Sequence, residues 1–357
     1  MCVKTRISYG WEESKTVNGI LLMNIGTPDE PSVRSVRKYL RQFLLDPDVI
    51  DIPAPLRHLL VRGIILRVRP RKIAPSYSSI WMEEGSPLRV YSERMAEGLR
   101  MRMADAECEV GMRYGNPSIR HALEKLRHKG VQKLLLAPLF PHHAQATTES
   151  SLKEAFRQLN KMEWQPEIFQ LTHFEDDPSF IDPLSESIQP HMREGAHLLF
   201  SYHGLPVSHV KRTDKTGLHC QVKDSCCSIK CSANSMCYAH HCNMTTMAVV
   251  EKLGLSDSDW SISYQSKLGP TKWLTPSTLS MVEKLAKKVD NLVIVSPAFV
   301  ADGLETLEEL DIEVRNHFIV NGGKEMTVVS CLNDNPSWLN GLENLVRDAF
   351  LNPMIPD

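Results

Sequence analysis

From residue 19 the chain runs Gly19-Ile20-Leu21-Leu22-Met23-Asn24-Ile25, nearly unbroken in apolar side chains, and closes abruptly at Gly26-Thr27-Pro28. An apolar run of that length without alternation predicts a strand covered on both faces, and the closure predicts a tight loop at its carboxyl end. The second half repeats the pattern, with Leu198-Leu199-Phe200-Ser201-Tyr202 ending in His203-Gly204-Leu205-Pro206. A further pair of β-type runs, 131–138 and 292–297, occupies corresponding places in the two halves. Helical patterns lie between them, over 117–126 and 279–288. Strand and helix alternating in both halves predict an α/β protein of two similar domains with parallel sheets, related by an approximate internal duplication. The cleft between them is expected to be floored by the loops at the carboxyl ends of the strands, where ligands bind in such sheets.

With 357 residues, 42% of them hydrophobic, the chain can bury two medium cores. No run approaches the roughly 20 apolar residues of a spanning helix, and the start, Met1 to Lys15, lacks the apolar stretch of a signal peptide. A cytoplasmic, reducing location is therefore expected, which argues against a disulfide framework. A formal net charge of −2, from 41 basic and 43 acidic residues, indicates no bulk attraction to nucleic acid. Residues 53–72 differ, interleaving Arg57, His58, Arg62, Arg67, Arg69, Arg71 and Lys72 with eight leucines, isoleucines and valines. Three readings stay open for this segment: a core helix with a solvated basic face, a helix lying on a membrane surface, or bases facing an anionic ligand across an apolar mouth.

Six of the nine cysteines, Cys220, Cys226, Cys227, Cys231, Cys237 and Cys242, fall within 23 residues. Thiolates in that density point to zinc, copper(I) or an iron–sulfur cluster, and a stable tetrahedral or two-iron site needs four of them. His203 follows its strand directly, beside a glycine that permits close approach of another group to the backbone. A structural role and a catalytic one are both open to it. The third feature is Asp302-Gly303-Leu304-Glu305-Thr306-Leu307-Glu308-Glu309. Asp302 and Glu305 have the spacing of a helix cap and its N3 partner. Glu305, Glu308 and Glu309 form a ridge at i, i+3 and i+4, able to pass a hard divalent cation along a helix face or to remain a solvated face.

Taken in order, a longer series of motifs resembles the ferrochelatase family. It begins with Leu21 to Pro28, then Tyr77-Ser78-Ser79-Ile80-Trp81 with Gly85-Ser86-Pro87-Leu88, and Met112-Arg113-Tyr114-Gly115-Asn116-Pro117. It continues through Ser201 to Pro206, Gln265-Ser266-Lys267-Leu268-Gly269-Pro270 with Lys272-Trp273-Leu274, and Pro297 to Asp302 leading into Leu304 to Glu309. The resemblance implies the chelatase fold, two similar Rossmann-like α/β domains with a cleft between them. The expected division is 17–150, then 151–330 including a cysteine-rich insert at 214–237, then a C-terminal helical segment 331–357 packing back on the shell. The implied reaction is insertion of Fe²⁺ into protoporphyrin IX with release of two protons. Coproporphyrin III as substrate, and a non-catalytic haem or metal carrier on the same fold, are the alternatives. The implied partners are porphyrin and ferrous iron; peripheral contact with the inner membrane face is expected separately, from the basic and apolar residues of 53–72.

Carried over position by position, His203 matches the family's active-site histidine against the porphyrin face that sheds its protons. Glu305 matches the glutamate near it, and Asp302 belongs to the same acidic region; His203 and Glu305 are also the residues expected to meet the metal. Ile25 stands against the macrocycle, Arg69 and Ser86 match positions that meet the propionates, and Tyr77 and Trp273 match pocket positions. The chemistry asks for such a set. A grip on a puckered macrocycle spends remote binding energy on strain, a neutral imidazole accepts a proton near neutral pH, and carboxylates draw in a cation or carry protons out.

Three departures stand out. Phe140 and His143 replace common tyrosines, and of His142 and His143 at most one is expected to reach the iron, since neighbours on an extended chain point apart. Gly303 stands where some relatives carry a histidine, so no mechanism through that imidazole applies. The cysteine-rich stretch is the third. Some ferrochelatases carry a [2Fe-2S] cluster on internal ligands, and the resemblance assigns Cys220, Cys227, Cys231 and Cys237, with Cys226 as alternate to Cys227. Cys242 belongs to the following helix, and structural zinc is the rival.

Overall fold

A computed structural model describes residues 16–222, 225–267 and 271–352. Leu268, Gly269 and Pro270 of the sixth motif, and the last five residues of the expected C-terminal segment, lie outside the described residues.

The first half runs β1 (Asn18–Thr27), α1 (Val33–Leu44), α2 (Ala54–Leu60), α3 (Leu66–Ser79), α4 (Pro87–Arg102), β2 (Ala106–Gly115), α5 (Ile119–His128), β3 (Lys133–Pro138), α6 (Ser150–Lys161) and β4 (Glu167–Gln170). Between α2 and α3 the chain makes a π-helical turn, Val61–Ile65. Helix α7 (Pro178–Ile188) leads into β5 (Ala196–His203), α8 (Val207–Arg212), α9 (Tyr238–Leu253), β6 (Trp260–Gln265), α10 (Thr278–Leu285), β7 (Asn291–Val295), a π-helix at Glu305–Val314, α11 (Arg315–Val320), β8 (Glu325–Val328) and α12 (Pro336–Leu351). The sheets are ordered β2-β1-β3-β4 and β6-β5-β7-β8, parallel throughout. The same order twice is the duplication that the paired strand-loop junctions predict.

Period-two alternation divides the covered strands between layers. Leu21 and Met23 pack outward on Ile119, Leu123 and Leu159 of α5 and α6. Ile20 and Leu22 turn the other way, into a core they share with Leu198, Phe200 and Tyr202 of β5 and with Trp338 and Leu342 of α12. Leu199 reaches the far side, against Val282 and Phe318. The two halves therefore rest on one continuous central core and part only above the carboxyl ends of their strands.

One boundary moves. The division expected at residue 150 falls inside the first sheet, because β4 pairs with β3 in the register Lys133 to Glu167. A four-residue edge strand with a charged end carries little apolar pattern, which is why it escapes a reading by periodicity. The segment beyond 331 folds back, but across the molecule: α12 packs on α7, α4, β3 and β4. Trp338 is fully buried there and donates its indole N–H to Met95 Sδ at 3.2 Å. Gly341 meets Ser179 so closely that a Cβ would lie 1.9 Å from its carbonyl oxygen, so only glycine lets the two helices approach.

Candidate active site

His203 is the last residue of β5, paired with Gln265 at the end of β6. The strand ends there because the chain must turn under a neighbour: a Cβ on Gly204 would lie 2.6 Å from the Gln265 carbonyl oxygen and 3.3 Å from Trp273 Cε3. Leu274 donates its amide to Leu205 O at 3.0 Å and Val207 to Lys272 O at 2.9 Å, so the loop carrying Trp273 is stapled over the His203 loop. Tyr238, from α9, donates its hydroxyl to His203 O at 2.8 Å. The His203 ring packs edge-to-face on Phe299, centroids 6.2 Å apart. Burial pulls its basicity below that of a free imidazole, and the Glu309 carboxylate only partly opposes this. The ring therefore gives up its proton more readily than a free imidazole.

Beyond β7 the acidic run takes two forms. Asp302 is buried, and its carboxylate accepts from Thr306 Oγ1 at 2.8 Å, Asn333 Nδ2 at 2.6 Å and the Cys331 amide at 3.3 Å. The expected cap-and-N3 partnership with Glu305 is thus replaced by a brace between the loops at 302 and 333. From Glu305 the chain is π-helical, and the wider turn breaks the i, i+3, i+4 ridge. Glu308 swings to Ser76 of α3, accepting its hydroxyl at 2.9 Å. Glu309 turns to the β6 loop and accepts from Ser266 Oγ at 2.5 Å. Desolvation, reinforced by the neighbouring Glu305 charge, pushes the Glu309 carboxyl up to about 7. Glu305 is raised as well, chiefly by burial, with Arg69 opposing.

The first half supplies the opposite wall. Ile25, half-buried at the end of β1, packs in the apolar cluster that contains Tyr77, Tyr39 and, from across the cleft, Leu304. Gly26 follows with φ 104°, and a Cβ there would lie 1.7 Å from Tyr114 O. Burial, with the Glu305 charge behind it, drives the Tyr77 hydroxyl far above its ordinary range. Ser86 is buried at the start of α4 and shares a 2.7 Å hydrogen bond with Thr27 Oγ1.

Of the sequence-predicted residues, the fold therefore brings Glu305 and Arg69 of opposite halves within electrostatic reach of Tyr77, sets Ile25 in the same apolar cluster as Tyr77, and stands Trp273 against the His203 loop. Asp302 and Ser86 are committed to bracing hydrogen bonds. Sequence reasoning placed Glu309 on the ridge but left it out of the site; its partner Ser266 and the ring contact Phe299 carried no signal of their own.

His142 and His143 do not line an open loop, since both are buried beneath α9. His142 shares a 2.8 Å hydrogen bond with Thr245 Oγ1, stacks edge-on against Tyr202 and Tyr238, and is lowered to about 3 by burial. Nearby, His173, Glu175 and His241 bring three potential metal donors within 4.8 Å of one another. Both ring nitrogens of His241 already have hydrogen-bond partners. The His143 amide donates to His241 Nδ1 at 3.1 Å, leaving the proton on Nε2, which donates to Ser235 O at 2.8 Å. Burial alone would raise Glu175, but the 2.7 Å bond to His173 and the two imidazoles hold it at about 2.

The cysteine insert forms its own cluster. The eight cysteines among the described residues are free thiols. Cys220 and Cys227 pack with Cys237, Val210 and Ala239, and Cys226 Sγ lies 3.7 Å from Cys227 Sγ. Cys231 instead faces His219, Sγ to Nε2 3.7 Å. Cys237 stands at the amino end of α9, where a hydrogen bond with Cys227, then the His240 and Ala239 amides, pull its thiol down to about 6. Cys242 is fully buried in the central core, as expected of a helix residue.

The ferrochelatase family profile matches residues 17–350. The ferrochelatase of Pseudomonas syringae pv. tomato is 40% identical over 338 residues, covering 94% of this chain and 99% of its own length. That of Azotobacter vinelandii is 41% identical over 335 residues, covering 93% and 99%. Among solved structures, SirB from Bacillus subtilis with Fe³⁺ superposes with a TM-score of 0.52 at 12% identity, covering 93% of this chain and 95% of its own, a likeness of fold. By sequence over nearly its whole length, and with the fold to match, the chain belongs to the ferrochelatase family.

Proposed function

We propose that the chain inserts Fe²⁺ into protoporphyrin IX with His203 as the acceptor of the pyrrole protons and Glu305 and Glu309 as the groups that bring in the metal and carry protons away. The observation that carries this is the neighbouring, on one wall of the cleft, of an imidazole whose basicity burial lowers and a carboxyl poised at about 7, near enough that the Glu309 charge acts on the ring. A group whose pKa lies near the working pH gives and takes protons with the least driving force lost. Two protons leave the macrocycle for each iron, so a relay of this kind must reset with every turnover. Ile25 and Tyr77 supply the apolar wall, Trp273 closes over His203, and Arg69 supplies positive charge for the propionates. Asp302 positions the π-helix and does not touch the substrate. Anaerobic Fe²⁺ insertion by His203→Ala and Glu305→Gln, with porphyrin binding followed by fluorescence quenching, tests the assignment. Parent-like turnover in either variant removes it.

The insert fits a soft-metal group. Cys220, Cys227 and Cys237 converge with Cys226 beside them, all unbridged, and one thiol is already drawn toward its ligating thiolate form. A [2Fe-2S] cluster held by Cys220, Cys227 and Cys237, with Cys231 or Cys226 completing the set, would tie the insert together and supply a one-electron centre. Iron and inorganic sulfide analysis tests it; stoichiometric zinc without sulfide replaces it.

Peripheral membrane contact through α2 and α3 completes the proposal. Leu59 and Ile64 are 69% and 61% exposed, and no helix among the described residues is long and apolar enough to cross a membrane. Vesicle co-sedimentation of a Leu59→Ser/Ile64→Ser variant tests this contact.

A further inference from the structure

Ten lysines and arginines fall between positions 33 and 72, against three aspartates, in a chain whose formal net charge is −2. Folding concentrates them further. Arg34, Arg37, Lys38 and Arg41 of α1 face Arg62 and Arg67, from the π-turn and the start of α3, across an open groove of about 700 Å³ that no carboxylate lines. Lys38 is paired with Asp29 at 2.8 Å, and Arg37 donates Nε to Leu66 O at 3.1 Å, holding α1 against α3. Among the described residues, Arg34, Arg41, Arg62 and Arg67 make neither a salt bridge nor a hydrogen bond. An ordinary solvated face mixes its signs, as this protein does elsewhere: Arg120 pairs with Glu124, Lys129 with Glu107, Arg157 with Glu154 and Arg347 with Glu343. Facing guanidinium groups without counter-charge repel one another, and an anion between them relieves that repulsion.

Two properties select the anion. The planar fork of arginine matches phosphate oxygens two at a time. The same helical stretch, continuous from α2 through the π-turn into α3, exposes Leu59, Ile64 and Val68, at 69%, 61% and 50%. An acidic polypeptide would meet the charge and leave that apolar flank in water; a bilayer surface meets both.

We propose that this groove is a headgroup site for anionic phospholipid, its arginine forks holding phosphate while the exposed apolar side chains of the α2–α3 stretch enter the acyl boundary. The inference rests on the membrane contact proposed above and adds to it the charge of the lipid and the α1 side chains that read it. Arg67 of the groove and Tyr77 lie on the same helix, α3, which links the site to the wall proposed for the porphyrin.

The test uses the full-length protein with two kinds of vesicle, pure phosphatidylcholine and an equal mixture of phosphatidylcholine and phosphatidylglycerol. The parent is expected to sediment preferentially with the mixture and to lose that preference as salt is raised. Each arginine near an anionic surface contributes roughly a five-fold gain in binding, so Arg34→Gln/Arg41→Gln/Arg62→Gln should weaken binding to the mixture by roughly a hundred-fold. Its melting temperature and its Fe²⁺ insertion with detergent-dispersed porphyrin should match the parent, because the three side chains are exposed and unbonded. Leu59→Ser/Ile64→Ser separates the two readings. If that variant loses vesicles while the arginine variant keeps its preference for phosphatidylglycerol, membrane contact stands and the headgroup site falls. A parent that ignores both vesicles overturns both. Arginine-dependent binding of polyglutamate without vesicle binding assigns the groove to an acidic polypeptide and overturns the lipid site.

Discussion

Replacing Glu309 by Gln removes a carboxylate that the fold holds at a cost. Desolvation and the Glu305 charge raise its carboxyl from an ordinary 4.5 to about 7. The folded state therefore binds this proton more tightly than the unfolded chain. By linkage, stability falls as pH rises from 4.5 to about 7 and stays low above that. One pKa unit corresponds to about 1.4 kcal/mol, so the ionised carboxylate costs the fold about 2–3 kcal/mol at pH 8 once its partial exposure is allowed for. Gln keeps the volume and an acceptor for the Ser266 hydroxyl, which lies 2.5 Å from Glu309 Oε2 in the parent. Glu309→Gln should accordingly be the more stable protein at pH 8 by that amount, and its advantage should shrink to under about 1 kcal/mol at pH 5. Fe²⁺ insertion should fall by roughly a hundred-fold or more, the scale of a lost proton-transfer group. Thermal and urea unfolding at the two pH values, with anaerobic turnover on the same preparations, read both effects. Equal stability of parent and variant at pH 8 refutes the buried-carboxylate reasoning, and parent-like turnover refutes its place in the relay.

His203→Ala should abolish measurable insertion while leaving porphyrin affinity within a few-fold, since the grip lies with Ile25, Tyr77 and Trp273; loss of binding in step with turnover would make the histidine structural. Gly341→Ala should destabilise by about 1–3 kcal/mol in urea unfolding, because its Cβ would meet the Ser179 carbonyl oxygen at 1.9 Å; an unchanged midpoint contradicts the packing of α12 on α7. Cys237→Ser should remove bound iron and sulfide, and Cys242→Ser should not. Between Cys226→Ser and Cys231→Ser, the variant that loses the cluster identifies the fourth ligand.

How much of this was legible in the sequence follows from which interactions are local. The strands β1, β3, β5 and β7 are covered on both faces, so their residues are apolar in unbroken runs, and the glycines at 26 and 204 mark loops whose backbones pass a neighbour at contact distance. Those features reside in consecutive residues and can be read one segment at a time. The edge strands β4 and β8 could not be read that way, because four residues with one covered face carry too little pattern. The motifs identify His203 and Glu305 as a pair, yet whether a carboxyl is poised near neutral pH depends on desolvation by residues far apart in the chain. That put Glu309 in the site and turned Glu308 away to Ser76. Likewise six cysteines in one stretch announce a thiolate site, but whether Cys226 or Cys231 joins the others is a matter of where the loop folds. Residue type and local order determine which chemistry is available and on which strand ends it stands. Only tertiary packing sets the distances and the local dielectric, and with them which of those groups act together.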